Sequence, residues 1–347
     1  MSTSRTVPVR FLRAAVSTAE LRGIDLAPWL ERLDIDPRLL FDDRSRITPG
    51  QATRIIQLLW RRTDDELFGL GAERVPRGTF RLLCLAVLSA PDLGTVLSRW
   101  SDFSRVLPGL PDFDVSVGAT TTRVKIALDS ERDPAHFVTD IALGVNLRLL
   151  GWLSGRRLPL ELVLLPYATP DDVEDYDGVF GRRVLFDQPV AAYVLSNEAL
   201  TLPVVKDEAA TERWLRESPL DLLAFRDYGT AVGDQVRRIL ERGLRGDWAI
   251  PDEVAQQLTM STQHLRRVLR EEGTSMTQIR EELLRDAAIA SLVRGEESVA
   301  DLAERLGFSE PSAFYRAFRR WTGSAPGSYR PTSQRPISRT ARRGSCV

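Results

Sequence analysis

Residues 251–330 carry one supersecondary pattern twice, and this repetition limits what the chain can fold into more than any other feature. The first copy reads Asp252-Glu253-Val254-Ala255-Gln256-Gln257-Leu258, then Thr259-Met260-Ser261, then a helical run over 262–271. The second reads Ser298-Val299-Ala300-Asp301-Leu302-Ala303-Glu304-Arg305-Leu306, then Gly307-Phe308-Ser309, then a run over 310–321. Val254, Ala255, Leu258, Met260 and Ser261 coincide with Leu302, Ala303, Leu306, Phe308 and Ser309 at one constant offset. Leu265, Arg267 and Leu269 meet Phe314, Arg316 and Phe318 after a single extra residue. Each copy is a short helix, a tight turn and a longer helix opened by a serine able to cap it. That is the sequence form of helix-turn-helix.

In such a unit the apolar positions of the two helices face each other, so the second helix presents its remaining face to a DNA major groove. That face is Gln263, Arg266, Arg267 and Arg270 in the first copy, and Ser312, Tyr315, Arg316 and Arg319 in the second. Arginine can donate two parallel hydrogen bonds to a guanine edge and glutamine can pair with adenine, so these residues are the candidates for base reading. Leu302, Ala303, Leu306, Phe308, Phe314, Phe318 and Trp321 have the spacing of core residues instead. Between the copies, Ile279, Leu283, Leu284, Ala287, Ala288 and Leu292 form an apolar stripe on a helix over about 276–293. Such a rod is long enough to hold two reading helices apart as a fixed pair.

The second copy is continuous over Ala303-Glu304-Arg305-Leu306-Gly307-Phe308-Ser309-Glu310-Pro311-Ser312-Ala313-Phe314-Tyr315-Arg316-Ala317-Phe318-Arg319-Arg320-Trp321-Thr322-Gly323, followed by Ala325-Pro326-Gly327-Ser328-Tyr329-Arg330. This stretch closely resembles the signature of the AraC/XylS family of bacterial transcription regulators. The resemblance implies that Gln263, Arg266 and Arg267 occupy base-reading positions of the first recognition helix, and Ser312 and Arg316 those of the second. Arg319 and Arg320 fit phosphate contacts, which position without specifying. In the first copy, Gln263 and His264 stand where the family varies widely, so the operator sequence does not follow from the motif.

Net charge is −1 over 347 residues, with 43% hydrophobic and 27% charged residues, a composition that fits a globular chain of two domains. Residues 228–330 hold as many arginines as carboxylates. A DNA-binding half that is neutral overall requires Glu281, Glu282, Glu296 and Glu297 to point away from the reading faces. Arg335, Arg339, Arg342 and Arg343 make residues 332–347 a basic tail, expected to be disordered and able to touch phosphates. Two cysteines, Cys84 and Cys346, with two histidines, His136 and His264, build neither a disulfide framework nor a metal cluster. No cofactor is expected, and a reducing cytoplasm fits. Arg10 and Arg13 break the N-terminal apolar pattern and the run at 82–88 is too short to cross a bilayer, so no membrane association is expected.

The first half opens helical. Phe11, Leu12, Ala15, Val16 and Ala19 mark a helix ended by Gly23, a short helix follows near 28–33, and Thr48-Pro49 starts a third with Ala52, Ile55, Ile56, Leu59 and Trp60 as its buried stripe. An apolar helix at 82–88 and one capped by Asp92 come next. Residues 113–117 and 122–128 then read as a hairpin around Gly118, 134–153 as helix, and 160–165 and 193–195 as strands. The expectation is an α+β domain over 1–205 with a small, mainly antiparallel sheet, a linker at 206–226 with Trp214, Leu215, Leu222 and Leu223 as docking residues, and an all-α DNA-binding domain over 227–331 that contains both helix-turn-helix motifs and the joining helix. Gly78-Thr79-Phe80-Arg81-Leu82-Leu83 and Ser89-Ala90-Pro91-Asp92-Leu93-Gly94 resemble the longer N-terminal domain named for arabinose binding, found in one branch of the family. They do not resemble the all-β domain of the arabinose regulator itself, so the name does not identify a ligand.

These features imply a sequence-specific transcription regulator, expected to be an activator, located with the nucleoid in the cytoplasm. Its partners would be duplex DNA, RNA polymerase, a small-molecule effector at the N-terminal half and a second copy of the chain in a homodimer. The alternative is a constitutive regulator whose N-terminal half serves only oligomerisation or polymerase contact. Trp60, Phe80, Trp100, Phe103 and Trp152 have the spacing of ordinary core aromatics, so no sensor residue is assigned. An enzyme is not expected: Cys84 lies in an apolar run without a Cys or His partner, and His136 beside Asp133 and Asp140 fits a structural histidine.

Overall fold

A computed structural model describes residues 6–128, 131–156, 158–169, 180, 184–217, 232–245 and 248–331. In chain order the elements are β1 (Val7–Pro8), α1 (Val9–Leu21), α2 (Ala27–Arg32), a 3-10 turn (Pro37–Phe41), β2 (Arg46–Ile47), α3 (Pro49–Thr63), α4 (Thr79–Val87) and α5 (Leu93–Val106). Then come β3 (Asp112–Val117), β4 (Thr121–Ala127), α6 (Phe137–Ser154), β5 (Leu160–Leu164), β6 (Val184–Leu185), β7 (Ala192–Ser196) and α7 (Glu208–Glu217). The remaining helices are α8 (Val232–Glu241), α9 (Pro251–Gln257), α10 (Thr262–Glu271), α11 (Met276–Arg294), α12 (Val299–Arg305) and α13 (Pro311–Thr322). The N-terminal half thus mixes helix and sheet, and the C-terminal part is helical.

Two compact units divide the chain. One joins Arg10–Leu26 with Pro49–Gln235; the other joins Met1–Val9, Ala27–Thr48 and Val236–Val347. This is not one cut near residue 205, because two N-terminal segments group with the C-terminal helices.

In the first unit a five-stranded sheet runs in the order β3-β4-β7-β5-β6. All neighbours are antiparallel except β5 and β6, which pair in parallel. The β3–β4 hairpin closes where the Gly118 amide donates to the Thr121 carbonyl at 2.8 Å. Along β4, Thr122, Val124 and Ile126 point into the core in the period-2 pattern of a half-buried strand. Leu143, Leu147, Leu149 and Leu150 of α6 enter the same core as Leu83, Val87, Val96 and Leu97 of α4 and α5. Leu82 is exposed, so α4 is amphipathic rather than apolar all round. By length and hydropathy α6 could cross a membrane, but 78% of it is buried inside the fold, as in a core helix.

Helix ends follow local chemistry. Gly78 has no side chain to cap α4, and the Glu66 carboxylate does so instead, accepting from Gly78 N at 2.6 Å and Phe80 N at 2.7 Å. Asp92 caps α5 through Thr95 N at 2.8 Å, as expected. His136, at φ +54°, precedes α6; the buried Asp133 carboxylate caps that helix through Thr139 N at 2.9 Å. His136 stacks on Tyr167 with ring centroids 4.1 Å apart. Burial pushes its imidazole below the usual range and Asp133 opposes that shift, which is the setting of a structural histidine.

The aromatics of this unit pack on one another. Trp60 stacks on Phe68, Trp100 on Phe113 and Trp152 on Trp214. Trp60 is half-buried rather than fully so. The expected linker begins with α7, which Trp214 anchors against Trp152 at 5.0 Å and Phe80 at 6.3 Å. Its remainder, 218–226 with Leu222 and Leu223, lies outside the described residues, as does the tail 332–347.

Candidate nucleic-acid interface

In the second unit, α9 and α10 form one tightly turned helix pair and α12 and α13 another, with α11 between them in the chain. Pro251 takes the first position of α9, where its missing N–H costs nothing, and Glu253 reaches back to accept from Ile250 N at 3.1 Å. Ser261 caps α10 by accepting from His264 N at 3.2 Å, and Thr262 Oγ1 donates to Asp252 of α9 at 2.5 Å. Ser298 and Asp301 make a reciprocal capping box on α12.

The second long helix starts differently from expectation. Glu310 is the N-cap of α13 without a side-chain cap bond, and Pro311 occupies the first turn. The extra residue in this copy moves Ser309 out of capping position, and the fixed φ of Pro311 pre-forms the turn instead. The two turns use one backbone conformation with different residues. Gly307 has φ +84°, whereas Thr259, at the matching position, has φ +55°. A β-branched side chain there is strained.

The apolar faces are buried as the spacing requires. Leu265 and Leu269 of α10, and Phe314, Ala317 and Phe318 of α13, are buried together with Val254, Ala255, Leu302, Ala303 and Leu306. Phe308 packs edge-on against Phe314, with centroids 5.4 Å apart. Phe308 and Trp321 are only partly covered, because they lie in the turn and in the last turn of α13, where the core ends.

The opposite faces are open. Gln263, Arg266, Arg267 and Arg270 on α10 are exposed, and so are Ser312, Tyr315, Arg316, Arg319 and Arg320 on α13. Arg267 is held by Glu271 at 2.6 Å and by His264 Nδ1 at 3.2 Å. Arg320 reaches Glu281 of α11 at 2.6 Å, and Ser312 donates to Glu310 at 3.2 Å. Arg266, Arg270, Arg316 and Arg319 make no hydrogen bond or ion pair among the described residues.

Of the four carboxylates expected to point away from the reading faces, three do: Glu282 pairs with Arg237, Glu296 with Arg294 and Glu297 with Arg305. Glu281 departs from that expectation, because it pairs with Arg320 on the outward face of α13. Arg305 and Ser291 hold the Glu297 carboxyl below its usual range, with burial opposing them. Among the described residues, Arg266, Arg270, Arg316 and Arg319 leave four unpaired guanidinium groups on the outward faces of α10 and α13.

Sequence reasoning missed part of α11. Ile279, Leu283, Leu284, Ala288 and Leu292 are buried as expected and Ala287 is only partly so, but Asp286, Ile289 and Ser291 are buried too. Asp286 accepts from the Thr6 hydroxyl at 2.7 Å, 280 residues away in sequence. No local pattern signals such a partner. Among the described residues there is no cluster of His, Cys, Asp and Glu able to hold a metal. Cys84 is buried, and burial pushes its thiol far up, away from nucleophilic character.

Comparison with known proteins identifies the family. Residues 23–204 match the family model described as the arabinose-binding domain of AraC transcription regulator, N-term, and residues 254–332 match a helix-turn-helix domain. The ornithine utilization regulator of Pseudomonas aeruginosa is 25% identical over 341 residues, covering 94% of this chain and 97% of that protein. The regulator VqsM of the same organism is 35% identical over 209 residues, 56% of this chain and 60% of its own. Among solved structures, the transcriptional regulator CdpR from Pseudomonas aeruginosa is similar at a TM-score of 0.30 and 21% identity, over 92% of this chain and 97% of that one. The N-terminal match alone spans more than half of the 347 residues, and the chain belongs to the AraC/XylS family of helix-turn-helix transcriptional regulators.

Proposed function

We propose that this regulator reads DNA with both helix pairs, each pair acting as one helix-turn-helix and α11 acting as the rod between them. Gln263, Arg266, Arg267, Ser312 and Arg316 read base edges in two successive major-groove segments, with Arg270 and Tyr315 beside them on the same faces. Arg319 and Arg320 hold phosphates. The observation that carries this reading is that the outward face of each second helix holds two exposed guanidinium groups, Arg266 and Arg270 on α10 and Arg316 and Arg319 on α13, without a partner among the described residues. The 19 residues of α11 give a rod of roughly 28 Å at about 1.5 Å per residue. That length is of the order of the ~34 Å between successive major-groove faces of a duplex.

The further assignments rest on family membership. The part of 1–205 outside segments 6–9 and 27–48 senses a small molecule and governs dimerisation, in the manner of the branch with the long arabinose-type domain. The protein activates transcription through RNA polymerase in the cytoplasm, on the nucleoid. Its aromatic residues support no particular pocket, since Trp100, Trp152 and Trp214 each pack against another ring. Such control requires an effector that binds two states unequally. The test is selection of duplexes from a random pool by the full-length protein, followed by the same selection with Arg316→Ala. The reading expects one enriched bipartite site, with discrimination lost in one half for the variant. Failure of the wild-type chain to enrich any sequence would overturn it.

A further inference from the structure

The N-terminal family model reaches back to residue 23, yet Ala27–Thr48 and the residues up to Val9 belong to the same compact unit as the DNA-binding helices. Within that unit a chain of buried polar contacts binds them. Val7 and Pro8 pair antiparallel with Ile47 and Arg46. Arg46 donates from Nε to Thr6 Oγ1 at 2.7 Å and from Nη2 to the Thr6 carbonyl at 2.9 Å, and the Thr6 hydroxyl donates onward to Asp286 of α11. The Arg46 amide donates to the Tyr329 hydroxyl at 3.1 Å, and Ser45 Oγ donates to the carbonyl of Thr322, the last residue of α13, at 3.2 Å. Asp42 lies against Gly323, where a Cβ would fall 1.8 Å from its carboxylate. Thr6, Arg46, Asp286 and Tyr329 are all buried.

A buried carboxylate on α11 is tolerable only while its partners are in place, and a buried arginine likewise. Asp286 and Arg46 therefore fix the position of β1 and β2 against α11, and through Ser45 and Tyr329 they fix the end of α13. Resting on the DNA-binding reading above, we propose that segments 6–9 and 42–48 are a clamp that sets the two reading helices. Thr6, Arg46 and Asp286 are its positioning residues. The DNA-binding unit is then built from three stretches of chain, and the excised C-terminal helices alone are incomplete. Because β1 continues directly into α1 and β2 into α3, the clamp is also a covalent route from the first unit to the reading helices, separate from residues 218–231.

The experiment uses the full chain and a duplex selected by the wild-type protein from random sequence. Thr6→Val keeps side-chain shape and removes the hydroxyl; Thr6→Ser restores it. With the variant folded by circular dichroism, Thr6→Val is expected to weaken binding to the selected duplex about tenfold, while Thr6→Ser stays within about twofold. Arg294→Ala, a surface change outside the clamp, leaves binding unchanged. Amide exchange over 322–330 should accelerate in Thr6→Val and remain normal over 254–258. Wild-type affinity together with wild-type exchange in folded Thr6→Val overturns the clamp. Should Thr6→Val not fold, Ser45→Ala removes the side-chain bonds to the Thr322 carbonyl and the Tyr329 hydroxyl; it is expected to weaken binding about threefold and accelerate the same amides, and no change in either overturns the proposal. A wild-type chain that selects no duplex refutes the DNA-binding reading, and the exchange result then decides the clamp separately.

Discussion

Thr259→Gly should stabilise the protein, a result opposite to the usual effect of placing glycine beside a helix. Thr259 holds φ +55° in the turn between α9 and α10, and its counterpart Gly307 holds φ +84° between α12 and α13. The left-handed conformation costs a non-glycine residue roughly 1–2 kcal/mol, from the approach of Cβ to the following carbonyl. Against this, glycine loses more chain entropy on folding, by about 0.5–1 kcal/mol. The net gain expected is about 0.5–1 kcal/mol, or a rise of roughly 2–3 °C in the melting of a unit of about 140 residues. The reciprocal Gly307→Thr isolates the backbone effect, because a Cβ at Gly307 would meet nothing within 4 Å. With both contributions reversed in sign, it should destabilise by about 0.5–1 kcal/mol. Amide exchange protection at Leu265, Leu269, Phe314 and Phe318 reports the two helix pairs individually and avoids assuming one transition for a two-unit chain. Affinity for DNA at 25 °C should not change in Thr259→Gly, since the turn conformation is retained. A loss of protection in Thr259→Gly, or none in Gly307→Thr, would refute the assignment of strain to this turn.

Arg316→Ala should cost roughly 1–3 kcal/mol of discrimination between the selected site and scrambled DNA, with little change in non-specific affinity; competition binding at fixed salt measures it. Deleting residues 332–347 should mainly flatten the dependence of binding on salt, because the tail supplies cations without base contacts; a loss confined to the selected site would mean the tail reads sequence. Burial would raise the Asp286 carboxyl, but Arg285, Arg46, Arg237 and the Thr6 hydroxyl together hold it below its ordinary range. Its contribution to stability is therefore complete above the unfolded carboxyl value near pH 4 and is lost as pH falls through the lower folded value. Asp286→Asn should remove that part of the acid-unfolding profile and leave the neutral-to-alkaline side parallel to wild type.

The reading helices were legible because their signals are local. Leu265 and Leu269, or Phe314 and Phe318, recur at helical spacing, and burying them forces Gln263, Arg266, Ser312 and Arg316 outward. The β3–β4 hairpin and the Asp92 cap were legible for the same reason. What escaped depends on distant or unusual chemistry. Asp286 sits within an apolar stripe, where a charged residue reads as solvent-facing, and besides its neighbour Arg285 its burial depends on Thr6 and Arg46 from the far end of the chain. Thr259 is a residue that propensity does not place in a left-handed turn. Strand β6 has two residues and pairs in parallel with β5, too short for any periodicity to show. The grouping of 27–48 with the C-terminal helices follows from the same long-range network, and nothing in that segment's own pattern announces it.

If two exposed helices read one flank of a duplex together, their positions on the DNA are fixed relative to each other. Single cysteines at Gln263 and Ser312, in a Cys346→Ser background where buried Cys84 stays unreactive, can each carry a tethered DNA-cleaving group. Two cleavage clusters are expected, centred about 10 base pairs apart on the same face of the selected site, the spacing of adjacent major-groove segments. One shared cluster, clusters on opposite faces, or cleavage from only one position would contradict this joint reading of the duplex.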